Sequence, residues 1–593
     1  MKATPHRRLH YGTADARHRW RWLPALLVLH VVLVVPDHPD ALGPAALLRL
    51  PIELPLLLLL SFVWPARHWR SLRVAVVAGL ALFVLSRCAD LVAHASLGRS
   101  FNLLLDIHLA GAGFELLSGA IGLSGAVAVA ALALLGWVGL TVAVWWAVGA
   151  LRPPEALRLR RTRVAAVVAA LAGSAHLGAD AGLVPAVTTA DSSRSAWYQL
   201  RSLGLGLSDH ARFRAELADD PALHLPSDRL LARLAQLDVL FVFVESYGRS
   251  TLELPSYAPT VNRALVDFER TAEAAGFAAR SAWLTAPIHG GQSWLSHATL
   301  LAGLKIDNQR RHASLLLSDR QTLVSDFRRA GWRTLAVMPA VEKPWPEGRF
   351  FGFDRIYGAG DLGYAGQPFN WVTMPDQYTL SALRRLELDR CDRPPIMASI
   401  ALISSHAPWT PIPPLLPWDA VGDGSVFGVH ARSGDPPEVV WRDPERVRVQ
   451  YLRSIDYVLR TLDSYLLAFG DDDTLLVVVG DHQPAWVVSG ETRSFDVPIH
   501  VLARDPVLLD AIADWGWTRG MRPAADAPVW PMETLRRRFF ETFSADEMRG
   551  DQNAGGMVEA AMPSSAGAEL AGSARSPLAA GAKCRHTRLE RAG

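Results

Sequence analysis

Two apolar runs in the second half of the chain end in residues that could hold a metal ion. The run at 475–480 is followed by Asp481 and His482, and the run at 237–244 is followed by Glu245. Dense Val, Leu and Phe are typical of strands buried on both faces of a parallel sheet. Such sheets bind ligands beyond the carboxyl ends of their strands. Carboxylate oxygens and imidazole nitrogens bind divalent metals, so the pattern predicts a metal site at this edge.

A hydroxyl and a second histidine lie between these two runs. Residues 288–304 read IHGGQSWLSHATLLAGL, in which two glycines precede Ser293 and a helical pattern follows it. A helix N-terminus attracts anionic groups, so Ser293 is placed to attack a phosphate or sulfate ester. The alternative is that Ser293 only caps the helix. His406 ends another apolar run, where it could contact a substrate phosphate or protonate a leaving oxygen.

Taken together, these residues could surround one divalent ion with four ligands: Glu245, Ser293, Asp481 and His482. Such an ion lowers the pKa of a bound hydroxyl and so makes it a nucleophile. It also offsets negative charge that develops on a phosphoryl group. The four residues therefore predict metal-assisted nucleophilic attack on an ester of phosphate or sulfate.

Alternating strands and helices from residue 237 onward must position this set. Apolar strand patterns such as LDVLFVFVESYG, MASIALISSH and TLLVVVGDH alternate with amphipathic helices that end in glycine. This order predicts an α/β domain at 237–543 with a doubly wound, mainly parallel sheet. Residues 544–593 are small, polar and aperiodic, and we expect them to form a disordered tail.

The first third of the chain is apolar and predicts an α-helical membrane domain at 1–184. A chain of 593 residues is expected to form at least two units. Apolar stretches near the ~20 residues of a bilayer-spanning helix suggest about five transmembrane helices. These stretches are Leu23–Val35, Leu42–Trp64, Leu72–Val92, Gly125–Leu151 and Val164–Val184. Asp90, inside the third stretch, is either a functional carboxylate or one placed at the membrane interface.

Basic residues set the expected orientation of these helices. Arginines cluster at 67–73 and 152–163, in the loops after the second and fourth stretches, and at the N-terminus. Basic loops stay in the cytoplasm, so an odd number of spans puts the α/β domain outside it. Polar helices at 185–236 would link the two parts. The formal net charge of +2 and the lack of a nucleic-acid motif argue against a nucleic-acid partner.

The motifs FVESYG, GGQSWLSHATLLAGL, SSHAPW and VVVGDHQP occur in this order after the apolar stretches. In this arrangement the chain resembles the lipoteichoic-acid-synthase (phosphoglycerol transferase) type of the alkaline phosphatase/sulfatase superfamily, apart from the tail. The resemblance implies one ion, Mn²⁺ before Mg²⁺ or Zn²⁺, bound by Glu245, Ser293, Asp481 and His482. It also implies that His406, Trp345 and Arg349 bind substrate, although Trp345 and Arg349 precede Gly352–Phe353–Asp354 at a shorter spacing than in the family.

Two departures from related patterns bear on the chemistry. The family's usual nucleophile is Thr, but Ser293 keeps the hydroxyl. Sulfatases that use formylglycine carry C/S-x-P-x-R, and Ser-Trp-Leu-Ser-His at 293–297 lacks both Pro and Arg. A second metal site would need further ligands, for which only His406 and His500 are candidates. The pattern therefore favours a single-metal site and disfavours formylglycine chemistry.

The resemblance implies a metal-dependent transferase in the bacterial inner (cell) membrane, multi-pass, with an extracytoplasmic (periplasmic) catalytic domain. It would move a phosphoglycerol-type headgroup from a phospholipid donor to a glycan or glycolipid acceptor through a covalent Ser293 intermediate. A phosphoethanolamine transferase and a hydrolase of sulfuric esters or phosphodiesters are alternatives. A non-catalytic membrane scaffold is a third, but it would be expected to lose a ligand, and all four are present. The transferred group and the acceptor stay open.

Overall fold

A computed structural model gives the structure of the protein. It describes residues 12–38, 41–97, 101–102, 106, 109–152, 158–180, 188–220, 226–234, 237–490 and 494–545. The chain divides into two compact units, residues 1–212 and residues 213–593. Most of the expected disordered tail, from 546 onward, lies outside the described residues.

The first unit is helical, in agreement with the sequence. Its helices are α1 Gly12–Leu33, α2 Glu53–Val63, α3 Trp69–Leu97, α4 Leu109–Leu151, α5 Arg158–Asp180 and α6 Asp191–Ala218, whose last residues belong to the second unit. Two short strands, β1 Leu50–Pro51 and β2 Thr188–Thr189, pair in parallel. The helix α4 changes direction at Gly122, where φ is 78°.

Two described segments are long and apolar enough to cross a bilayer, Ala66–His94 and Ile121–Leu151. Only 6% of the apolar window in the second is buried, so nearly all of its side chains face outward. The second predicted stretch is different, because only the 11 residues of α2 within it are α-helical. At 1.5 Å per residue this helix is about half as long as the ~30 Å hydrocarbon core. The described helices thus supply two candidate spans where the sequence predicted about five.

Two acidic residues near the ends of these helices accept hydrogen bonds from backbone amides of other segments. Asp90 accepts a hydrogen bond from the Phe101 amide at 2.8 Å and lies 3.9 Å from the Arg87 guanidinium. Glu53 accepts one from the Ser193 amide near the start of α6 at 3.0 Å. Buried carboxylates that satisfy backbone donors have a structural role. Asp90 therefore supports the local structure, and its placement at the membrane interface stays a prediction.

The second unit contains a nine-stranded sheet. Its strands are β3 Asp238–Val244, β4 Ala278–Thr285, β5 Arg333–Val337, β6 Arg355–Tyr357, β7 Ile396–Leu402, β8 Thr474–Gly480, β9 Asp496–Ala503, β10 Thr518–Arg519 and β11 Val529–Pro531. Its helices are α7 Ser250–Glu253, α8 Ala258–Ala274, α9 Ser293–Ala302, α10 Gln309–Leu316, α11 Leu323–Arg329, α12 Asp376–Leu383, α13 Pro437–Val440, α14 Pro444–Phe469, α15 Trp486–Ser489, α16 Pro506–Ala511 and α17 Thr534–Phe543.

The sheet is mainly parallel, as the sequence predicted, and it is mixed because β9 and β10 run against the other strands. Strands β6, β5, β7, β3 and β8 are parallel neighbours, whereas β9 runs antiparallel to both β8 and β4. Of these strands, β3, β7 and β8 are those that the apolar runs predicted, whereas the three-residue strand β6 was not predicted. The strands β4 and β9 were not predicted, because AARSAWLT and DVPIHVLA mix polar residues into the pattern. An antiparallel neighbour needs no crossover helix, so the segment between β8 and β9 is short.

Helices cover both faces of the sheet, as the doubly wound prediction required. Along β3, Val242 and Val244 face the cluster that contains side chains of α8 and α14. Phe241 and Phe243 face the opposite cluster, which contains side chains of α9, α11 and α17. Burying each such side chain contributes about 1.5–3 kcal/mol. The strand that leads to Glu245 is thus packed on both faces.

Candidate active site

Three predicted site residues follow three adjacent strands. The strand β3 lies between β7 and β8, and all three run in parallel. Glu245 comes directly after β3, His406 follows β7, and Asp481 comes directly after β8. Because the carboxyl ends of these strands meet at one edge, the side chains converge there.

Gly480 is required by the close approach of two chain segments. A Cβ at this position would lie 1.9 Å from the Tyr247 carbonyl oxygen, far inside van der Waals contact. The Asp481 amide donates to the Val244 carbonyl at 3.2 Å across the same gap. Only glycine allows the turn after β3 to lie this close to the end of β8. The structure thus assigns Gly480 to this close contact.

Ser293 is the first residue of α9, and its hydroxyl points into the site. Its Oγ donates to Glu245 Oε2 at 2.8 Å and lies 3.1 Å from His482 Nε2. The N-cap is instead Gln292, with a left-handed φ of 64°. The Gly290 amide donates to the Gln483 carbonyl at 3.0 Å, which fastens the loop before α9 to the segment after His482. The capping alternative for Ser293 is therefore wrong.

The structure brings the other three predicted ligands together. Ligand atoms of Glu245, Asp481 and His482 all lie within 4.8 Å of one another, and all three residues are buried. His482 Nε2 is 3.3 Å from Glu245 Oε1 and 3.9 Å from Asp481 Oδ2. With Ser293 these groups form the set of four that the sequence predicted.

Neighbouring groups orient each ligand. Asp481 Oδ1 accepts from the amides of Ser246 at 2.8 Å and His482 at 2.6 Å. Ser246 has a left-handed φ of 58°, a strained conformation for a non-glycine residue of the kind found at functional sites. His482 Nδ1 lies 2.8 Å from the Gln483 carbonyl, which can only accept, so Nδ1 carries a proton and Nε2 faces Ser293.

The charges of this cluster are compatible with a bound cation. Burial and the charge of Glu245 raise the pKa of Asp481 well above its usual range. Burial opposes ionisation of Glu245 too, but His482 and then His406 bring its pKa below the usual range. Burial lowers the pKa of His482, and the charges of Asp481 and Glu245 more than offset this, giving about 9. Two buried carboxylates and one imidazole with a hydroxyl beside them fit a divalent metal ion, which would replace the proton on His482.

The predicted substrate-binding residues are less closely grouped. His406 is exposed, and its charge acts on Glu245. Trp345 packs on Phe351 beside the short helix Pro346–Arg349, in which Arg349 is exposed. Within the described residues, neither Trp345 nor Arg349 has a hydrogen bond or ion pair to the four ligands. Their assignment to the substrate stays a prediction.

His500 is not a metal ligand, which excludes it from a second site. It lies inside β9 and is fully buried. Its Nδ1 lies 2.8 Å from Ser281 Oγ, and its Nε2 lies 3.3 Å from the Tyr247 hydroxyl. Both ring nitrogens are therefore used within the core.

Asp376 was not predicted, although it positions the loop that carries His406. Its Oδ1 accepts from the amides of Ile403 at 2.7 Å and Ser404 at 3.0 Å. Its Oδ2 is buried and has no hydrogen-bond partner. Burial is the main reason that the pKa of Asp376 rises to about 7, and the charge of Glu245 adds to the effect. No local pattern could reveal this role, since the bonded amides lie 27 and 28 residues away.

We expect Asp376→Asn to remove a pH dependence of stability. The folded state keeps a proton on Asp376 up to about pH 7, whereas an unfolded chain releases it near 3.8. The contribution of Asp376 to stability is therefore highest at low pH and falls as the pH rises from about 4 to about 7, by at most about 4 kcal/mol. Asn keeps the Oδ1 acceptor and does not ionise, so its melting temperature should fall less between pH 5 and pH 8.

The measurement is thermal unfolding of the full chain in detergent with a chelator, followed by tryptophan fluorescence. Asp419→Asn, at an exposed position, is the matched control and should behave like the wild type. Equal pH dependence in Asp376→Asn and the wild type would contradict the assignment.

Comparison with known proteins gives one family match. Residues 238–494 match a family model described as Sulfatase. This segment begins with β3 and includes Glu245, Ser293, His406, Asp481 and His482. No curated protein matches the chain.

Solved structures give weaker likenesses. The lipoteichoic acid synthase LtaP from Listeria monocytogenes has a TM-score of 0.33 and 13% identity, over 52% of this chain and 72% of that one. The Streptococcus pyogenes phosphoglycerol transferase GacH, in complex with sn-glycerol-1-phosphate, has a TM-score of 0.32 and 12% identity, over 52% of this chain and 85% of that one. The phosphonate monoester hydrolase SpPMH from Silicibacter pomeroyi has a TM-score of 0.31 and 14% identity, over 52% of this chain and 73% of that one. Scores this low carry no argument about activity.

Proposed function

We propose that this chain, which belongs to the alkaline phosphatase/sulfatase superfamily through its sulfatase domain at residues 238–494, transfers a phospholipid headgroup through a covalent intermediate on Ser293. The observation that carries the proposal is the Ser293 hydroxyl, hydrogen-bonded to Glu245 Oε2 and 3.1 Å from His482 Nε2. A nucleophile with an adjacent base and a metal-ligand set is the arrangement expected for covalent ester chemistry.

The chain's own residues account for both half-reactions. Ser293 Oγ forms a bond to phosphorus, and its proton leaves toward Glu245 Oε2, the acceptor of its hydrogen bond. The bond from phosphorus to the diacylglycerol oxygen breaks, and His406 protonates that oxygen. An acceptor hydroxyl then attacks phosphorus and gives its proton to His406, while the bond to Ser293 breaks and Ser293 regains its proton from Glu245. This order gives ping-pong kinetics.

Glu245, Ser293, Asp481 and His482 would hold the metal ion. When bound, a divalent cation lowers the pKa of the serine hydroxyl and offsets charge on the phosphoryl group. Three oxygen ligands and one imidazole suit Mn²⁺ before the softer Zn²⁺, with Mg²⁺ as the harder alternative. Metal identity is thus part of the proposal.

A membrane location suits a lipid donor. The apolar helix Ile121–Leu151 leaves most of its side chains exposed, and such a surface needs a bilayer or a partner to cover it. We propose a multi-pass protein of the bacterial inner membrane with the catalytic domain outside the cytoplasm. The donor would be a phosphoglycerol-type phospholipid, and the acceptor a glycan or glycolipid hydroxyl.

The test is mass spectrometry of the Ser293 peptide after the purified full chain is incubated with lipid vesicles and Mn²⁺, without acceptor. Separate vesicles contain phosphatidylglycerol or phosphatidylethanolamine, and an aryl sulfate is a third substrate. We expect a glycerophosphoryl adduct on Ser293. A phosphoethanolamine or sulfate adduct would change the transferred group. No adduct and no bound metal would support a non-catalytic scaffold, while rapid release of the headgroup to water would indicate a hydrolase.

A further inference from the structure

A second histidine lies on the nucleophile's own helix. His297 is four residues after Ser293 in α9, so the two side chains are on the same face, with Cβ atoms about 6 Å apart. Helical side chains lean toward the N-terminus and cover the preceding turn. The ring of His297 therefore lies over the turn that begins with Ser293.

A stacking contact fixes the ring beside the ligand cluster. His297 stacks on Phe243 with the ring centroids 3.9 Å apart and the planes 19° from parallel. Phe243 is two residues before Glu245 on β3. The charges of Glu245 and His482 both act on His297. The imidazole thus lies close to the residues that would surround the reacting phosphorus.

Among the residues that the structure describes, the ring nitrogens of His297 have no hydrogen-bond partner. The side chain is half-buried, and within the described part of the chain no group hydrogen-bonds to either nitrogen. Neither nitrogen is among the fully buried atoms that lack a partner, so both keep some access to solvent. Burial lowers its pKa to about 4, so at neutral pH the ring is uncharged and carries one N–H donor.

We propose that His297 is a catalytic residue that donates a hydrogen bond to a non-bridging oxygen of the phosphoryl group on Ser293. The nearby charges explain why a neutral donor fits: a permanent cation here would compete with a metal ion for Glu245. A neutral imidazole stabilises phosphoryl oxygens without that competition. This role rests on the proposed covalent chemistry of Ser293 and adds a contact that the sequence did not predict.

Three substitutions separate hydrogen bonding from packing. His297→Ala removes both the ring stack and the donor. His297→Phe keeps a ring on Phe243 but has no donor, whereas His297→Gln keeps an N–H donor and loses the stack. The readout is the affinity of the full chain in detergent, loaded with Mn²⁺, for inorganic phosphate, by titration calorimetry. Metal content and melting temperature are measured for each variant.

We expect His297→Ala and His297→Phe to bind phosphate roughly tenfold more weakly or worse, as for loss of one hydrogen bond to a charged group. His297→Gln should be closer to the wild type. Wild-type phosphate affinity in His297→Phe would assign the ring to packing and overturn the proposal. Unchanged affinity in all three variants would also overturn it, as would a wild type that binds no phosphate. If the wild type binds phosphate but forms no Ser293 adduct from vesicles, headgroup transfer fails while the phosphate affinities still decide the role of His297.

Discussion

Ser293→Ala should abolish the covalent adduct and lower turnover by at least about 10³-fold, as expected for loss of a nucleophile. The other two hydroxyls of α9 cannot replace it. Ser296 is fully buried, and Thr299 bonds within the core to the Leu295 carbonyl at 2.7 Å and the Ile306 amide at 3.0 Å. Turnover is measured as release of diacylglycerol from vesicles, and the adduct by mass spectrometry.

Two variants test the specificity of this result. Ser293→Thr keeps the hydroxyl and should retain the adduct with reduced turnover. Thr299→Val removes another hydroxyl of α9. It should lose stability, because the Ile306 amide loses its acceptor, yet keep an adduct on Ser293. Turnover that survives in Ser293→Ala would show that the nucleophile is another group.

The sequence predicted the part of the fold that rests on local signals. Unbroken apolar runs gave β3, β7 and β8, and the rule for carboxyl ends then placed Glu245, His406 and Asp481 at one edge. The helix after Gly290 and Gly291 placed Ser293 near them. The positions of these four residues were predicted correctly because neighbouring residues determine where a strand ends and where a helix begins.

The remaining features depend on distant contacts. The strand β9 was not predicted because its sequence mixes polar and apolar residues. Its His500 forms a hydrogen bond with Ser281, 219 residues earlier. The role of Asp376 depends on amides far along the chain, and that of His297 depends on Phe243, on the central strand. Among the described residues only two segments meet the length and composition of a membrane span, in part because α2 has only 11 residues, so the predicted count of about five stays a prediction. Pairings of this kind follow from the tertiary structure and not from a local pattern.

Asp481→Asn should weaken metal binding by at least about 100-fold, because it removes a charged ligand. Loss of a group that only supports a ligand already lowers metal affinity by about 10–100-fold. Asn can still accept from the amides of Ser246 and His482 through Oδ1, so the backbone around the site should hold. The measurement is Mn²⁺ binding by titration calorimetry, with bound metal counted by elemental analysis.

The same substitution should have the opposite effect on the metal-free protein. Burial and the charge of Glu245 disfavour the ionised Asp481, and Asn removes that cost. In a chelator, Asp481→Asn should therefore melt at or above the wild-type temperature. At Mn²⁺ about 100 times the dissociation constant, the wild type should gain about 2.7 kcal/mol and the variant far less.

Asp238→Asn is the matched control, since it changes a buried carboxylate at the opposite end of the strand that leads to Glu245. Asp238 pairs with both Arg393 amino groups, at 2.8 and 2.6 Å, and accepts from the Ile396 amide. Its loss should lower the melting temperature with or without metal and leave the increment from Mn²⁺ unchanged. An equal loss of that increment in both variants would mean that Asp481 acts through the fold, whereas a loss confined to Asp481→Asn would identify it as a metal ligand.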